Sequence, residues 1–132
     1  MARGSFDGEA GRWLAFARED LEHGRLGASS FPRSASWSFQ QSAEKALKGV
    51  LISEGKEPPR SHDVGFLLAQ VCDSHAGAEC LRESALLLSE VTPAIRYPGD
   101  WPELTAAEIC ELRTAAEQIF AWAEKRISEG TP

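Results

Sequence analysis

Histidine, cysteine and long apolar runs are all scarce in this 132-residue chain, and each shortage removes a class of function. The cysteines, Cys72, Cys80 and Cys110, are odd in number and make no CxxC pair. They suit reduced thiols in a cytoplasm better than a disulfide framework. The histidines, His23, His62 and His75, stand at no zinc-ligand spacing, so neither a metal nor another cofactor is expected. No stretch approaches the roughly 18–20 apolar residues of a membrane span, and residues 1–8 (MARGSFDG) lack the apolar core of a signal peptide. Walker, GxGxxG, GxSxG and HExxH sequences are also missing, which removes most enzyme classes that short motifs reveal.

What is present is ordinary globular material, 42% apolar and 26% charged, which argues against wholesale disorder. The length suits one domain with one core, residues 1–132, ordered over about 8–128. Twenty acids against fourteen bases leave a net charge of -6. That balance speaks against bulk binding of DNA, RNA or an anionic membrane. The excess is uneven. Residues 1–66 hold nine Lys/Arg and nine Asp/Glu, whereas residues 67–132 hold five and eleven. The neutral first half leaves room for a local basic or polar site.

The periodicity is helical nearly throughout. Trp13, Leu14, Ala17 and Leu21 share one face of a first helix, punctuated by Gly24, Gly27 and Pro32. A second helix spans about 34–53, with Ala35, Phe39, Ala43, Ala46, Leu47 and Val50 on one side and Gly55, Pro58 and Pro59 ending it. Ser61 is positioned to cap a shorter helix carrying Val64, Leu67, Leu68 and Val71. A fourth segment contains Leu81, Ala85, Leu88 and Val91, followed by a proline-rich ordered loop over 92–103. Thr105 and Glu108 form a capping box for a last long helix through Ile127. Nothing alternates with period two over any length. Short connections favour antiparallel neighbours, hence an all-α, up-and-down helical bundle.

Trp37, Gln41, Glu44 and Lys48 fall within about 60° of one another on the second helix. They make a polar line opposite its apolar face, flanked by Gln40 and Lys45. Glu44 and Lys48 stand in the favourable i,i+4 order, so the simplest reading is a solvated face stabilised by roughly 0.2–0.5 kcal/mol. Trp37 points the other way, because a large ring on a polar side calls for cover. Amides beside a charged pair also suit a buried or interfacial network. Solvent, a ligand or a partner helix could each face this line.

The segment FQQSAEKALKGVLISEGKEPPRSHDVGFLL, residues 39–68, resembles the HEPN domain, a helical family of prokaryotes and eukaryotes. The resemblance lies in a QQ-x-x-EKALK helix, a break with prolines, and the His62-Asp63 pair opening the next helix. Asp20-Leu21 and Arg96-Tyr97-Pro98 extend it to about residues 10–128. It implies an antiparallel bundle of four or five helices that commonly dimerises. Such proteins are associated with nucleotide or RNA binding, and many are encoded beside a minimal nucleotidyltransferase. Some are RNase toxins of toxin–antitoxin pairs. The RNases carry an Arg and a His separated by four to six residues, late in the domain, and no histidine follows Arg96 here. Arg60 and His62 are too close to match. Arg18 and His23 have the spacing, but they lie in the first helix and about 140° apart. A metal-independent endoribonuclease is therefore the disfavoured alternative, and a structural helical adaptor is another.

The candidate ligand-binding residues are Gln41, Glu44, Lys48, His62, Arg96 and Tyr97, with no catalytic residue assigned. Lys48 and Arg96 would neutralise a phosphate, while the amide and carboxylate orient a sugar or base. His62 beside Asp63 reads either as an oriented base or as a capping residue. Arg96 and Tyr97 read either as phosphate grip and stacking platform or as local packing, with Arg96 paired to Asp20 or Glu44. Trp13, Trp101 and Trp122 are expected to pack in the core or its rim. The acids of the last segment (Glu103, Glu108, Glu111, Glu117, Glu124) read as a solvated face or a surface for a basic protein. The expected partners are a second copy, a minimal nucleotidyltransferase protein, and a nucleotide or short RNA.

Overall fold

Apolar residues at three- and four-residue steps become helices wherever proline does not interrupt them. The computed structural model describes residues 8–91, 98–99 and 102–129. Among these the elements are α1 (Glu9–Gly27), α2 (Pro32–Ser53), α3 (Val64–Cys72), a 3-10 turn (Ala76–Leu81), α4 (Arg82–Glu90) and α5 (Ala106–Glu129). No strand occurs among the described residues. The all-α helical bundle expected from the periodicity is what forms.

Helix α2 is the axis of the fold. It packs against α1, α3, α4 and α5, and residues on all its sides are buried. Phe39, Leu47 and Val50 are fully enclosed, facing Leu14 of α1, Leu67 of α3, Leu88 of α4 and Leu112 and Ile119 of α5 in one apolar cluster. A helix buried all round must also satisfy its polar side chains internally. Gln40 donates from Nε2 to the Leu88 carbonyl at 2.8 Å, tying α2 to α4. The Ser42 hydroxyl donates to the Ala17 carbonyl at 2.8 Å, tying α2 to α1.

Helix α1 does not stop at Gly24, which is buried inside it. A Cβ there would stand 2.5 Å from the Phe39 ring, so glycine permits α1 and α2 to approach this closely. The glycine that does end a helix is Gly55, at φ +77°. Its amide bonds the Ile52 carbonyl and the Lys56 amide bonds the Leu51 carbonyl, a Schellman closure of α2. Pro58 and Pro59 follow in a segment without regular secondary structure.

The cap of α3 is Asp63, not Ser61. Its carboxylate accepts from the amides of Gly65 (2.9 Å) and Phe66 (3.4 Å) and from the Ser89 hydroxyl of α4. Ser61 instead accepts from the Asp63 amide. A carboxylate suits the positive helix end better than a hydroxyl does. The capping box of α5 forms as expected, with Thr105 N to Glu108 Oε1 at 2.8 Å and Glu108 N to Thr105 Oγ at 3.1 Å. No helix among the described residues is long and apolar enough to cross a membrane.

Candidate functional site

Glu44 and Lys48 do not form a solvated face. Their residues are 4% and 8% exposed, because α1 and the chain between α2 and α3 cover that side of α2. Periodicity could not reveal the cover, which comes from residues distant in sequence. The pair is 3.0 Å apart, Lys48 Nζ donating to Glu44 Oε2. The same oxygen lies 3.0 Å from His62 Nδ1. A carboxylate only accepts, so Nδ1 carries the proton of that bond and Nε2 is the ring's outer nitrogen. Gln41 Nε2 donates to the other oxygen, Oε1, at 3.3 Å.

Three of the candidate residues, Gln41, Lys48 and His62, thus converge on the buried carboxylate of a fourth, Glu44. Glu44 bonds Lys48 and His62 through one oxygen and Gln41 through the other, and so positions all three. His62 is oriented by Glu44, not by its neighbour Asp63, whose carboxylate is occupied at the α3 cap. Arg96, Tyr97 and Trp101 lie outside the described residues. The expected carboxylates for Arg96 have other partners: Asp20 meets Lys45 at 2.6 Å, and Glu44 meets Lys48 and His62.

Lys48 also lines an open cleft of about 640 Å³ between α1, the end of α2 and the proline segment. That volume is within the range of about 300–1,000 Å³ usual for small-ligand sites. Trp13 forms one wall, and Pro58 and Pro59 another. Lys48, Lys56 and Arg60 bring three cations against Glu9 and Glu57. The Lys48 ammonium stands 5.8 Å from the centre of the Trp13 ring, close enough for a cation–π attraction. Lys56 pairs with Glu54 at 3.4 Å, whereas Arg60 is exposed and meets no carboxylate among the described residues. Sequence reasoning placed Trp13 in packing and weighed Arg60 only against the RNase spacing. The signal available was the KEPPR turn itself, two cations held by rigid prolines directly after the EKALK helix.

The remaining polar candidates are structural. Arg18 pairs with Glu124, and His23 Nδ1 lies 3.2 Å from the Ser38 hydroxyl, so they serve different faces of α1. Glu117 of α5 meets Arg25 at 2.9 Å and Arg113 at 3.1 Å. Partial burial alone would raise its carboxyl, but these guanidinium bonds prevail and hold it below the usual carboxylate range. Glu117 and Glu124 therefore clamp α5 to α1 in place of a purely solvated face. Burial, reinforced by Glu79, pushes the Cys72 thiol up, away from the thiolate a nucleophile needs. His75 packs edge-on against Trp122, half-buried in the bundle rim as expected of that tryptophan. No group of acidic, His and Cys side chains suited to a metal occurs among the described residues.

Comparison with known proteins agrees with this architecture. The model of the HEPN domain matches residues 8–127. The chain is similar to the crystal structure of TT1696 from Thermus thermophilus, at 30% identity and a TM-score of 0.78, over 89% of this chain and 97% of that one. It is similar to ST0689, an archaeal HEPN homologue, at 28% identity and a TM-score of 0.72, over 91% and 98%. An HEPN domain protein of Thermotoga maritima is 27% identical with a TM-score of 0.71, over 86% and 95%. No curated protein matches the chain.

Proposed function

Because the chain belongs to the HEPN family, with residues 8–127 matched, we propose that it is a non-catalytic helical module that binds a nucleotide. The reading includes a dimeric state and a nucleotidyltransferase partner, in a toxin–antitoxin-type pair. The observation that carries the nucleotide reading is the cleft of Trp13, Lys48, Lys56 and Arg60, with Lys48 held in place by buried Glu44. Two or three cations on a rigid wall suit one or two phosphates, and the half-buried Trp13 offers a face for a base. The five charged groups sum to one net positive charge, which favours a mononucleotide over a long polyanion.

Titration calorimetry with AMP, ATP and inorganic phosphate tests it. A nucleoside phosphate is expected to bind, and Arg60→Ala to weaken it about tenfold, as loss of one charge-assisted contact should. Arg60 is exposed, so the variant keeps the fold. No heat with any of the three, or equal affinity in the variant, overturns the nucleotide reading. Cleavage of RNA that is lost in His62→Ala would instead establish the endoribonuclease alternative.

A further inference from the structure

A second groove, of about 670 Å³, runs between α4 and α5 and shares no lining residue with the cationic cleft. Its floor includes Leu87 and Ala115, and Leu86 stands 47% exposed along it. One stretch is bridged by the Ser84 hydroxyl, which donates to Gln118 Oε1 at 2.7 Å. Glu83 and Glu90 of α4 and Glu111 of α5 line it, with no cation among the lining residues. None of these three carboxylates meets a Lys, Arg or His among the described residues, although Glu117 and Glu124 on the same α5 are both neutralised from α1. An apolar channel flanked by acids that meet no described cation favours a basic, partly apolar partner.

We infer that this groove docks a basic amphipathic helix of a partner protein. The apolar stripe of such a helix would cover Leu86 and Leu87. Lys or Arg at three- and four-residue steps would reach Glu83 and Glu90 on one bank and Glu111 on the other. The nine residues of α4 give the contact a length of about 13 Å, two to three turns of partner helix. A second copy of this chain is a poor occupant. Helix α1 carries three arginines against four acids and α5 three cations against five, while the lysines of α2 are turned to Asp20 and Glu44.

Fluorescence anisotropy with a labelled 18-residue Leu/Lys amphipathic helical peptide tests the inference. Wild type is expected to bind it, and Glu111→Lys and Leu86→Ser each to weaken binding at least tenfold. Glu19→Lys on α1 changes the net charge equally and is expected to stay within twofold. Equal weakening by Glu19→Lys would mean bulk attraction only and overturns the groove, as does a failure of wild type to bind. A halved sedimenting mass in Leu86→Ser would assign the groove to self-association and overturns it too. The cationic cleft is untouched by these changes, so nucleotide titration on the same variants separates this inference from the nucleotide reading.

Discussion

Two ion pairs in this bundle have nearly equal lengths and sit in different media. Lys48 and Glu44 are 3.0 Å apart with side chains 9% and 5% exposed, and Arg25 and Glu117 are 2.9 Å apart with both 32% exposed. Distance alone would rank them together. Burial separates them, because the inner pair has left most of its water behind and depends on its partners for compensation. The outer pair keeps water as an alternative partner, so either member can be lost cheaply. The inner pair also has a third member, His62, on the same oxygen.

Glu44→Ala is accordingly expected to have the largest effect. It removes the acceptor of Lys48, His62 and Gln41 together, and should cost about 3 kcal/mol in urea unfolding, the low end for a broken buried pair because Lys48 lines a cleft and can swing toward water. Arg25→Ala should cost no more than about 1 kcal/mol. Equal losses for the two would refute the argument from burial. His62→Ala falls between, at about 1.5 kcal/mol, since the histidine is 64% exposed while its acceptor is buried. Hydrogen exchange locates that effect: protection at the Gly65 and Phe66 amides should persist, because Asp63 caps α3 independently of His62. Loss of protection there would show that the histidine anchors the cap as well.

Most of the helices were legible in the sequence because their apolar steps and their stops, Pro58, Pro59 and the Thr105–Glu108 box, are local signals. The burial of the polar line was not. Hydropathy orders Glu44 and Lys48 with solvent-facing residues, and nothing within α2 says that Trp13 and residues 54–62 fold over them. Gly24 failed for a related reason: its role is set by Phe39 on another helix, so it read as a stop when it is a point of contact. The cap of α3 was misplaced by two residues because Ser61 and Asp63 are both good caps, and Ser89 of α4 helps select Asp63. The line of Gln41, Glu44 and Lys48 follows from helical spacing and His62 enters through the family resemblance, but their meeting on one carboxylate depends on how the chain after α2 folds back, as does the approach of Arg60 to Trp13.

Acid and salt separate the two media most finely, through Glu117. Its carboxyl is held below the ordinary glutamate value of about 4.3 by Arg25 and Arg113, against the opposing pull of partial burial. A group depressed in the folded state stabilises it above the unfolded value, and that stabilisation is lost as pH falls through the folded value. The stability gap between wild type and Glu117→Gln should therefore be present at pH 7, at most about 1 kcal/mol, and close on acidification below the ordinary glutamate range. At 1 M salt the Debye length is only about 3 Å, so the same gap should shrink at neutral pH. The gap opened by Glu44→Ala should hardly respond to that salt, because ions do not enter the space around a 4%-exposed residue. Urea unfolding of both variants at low and high salt measures this. If the Glu44 gap shrinks with salt as much as the Glu117 gap, water and ions reach the inner pair and the two belong to one medium after all.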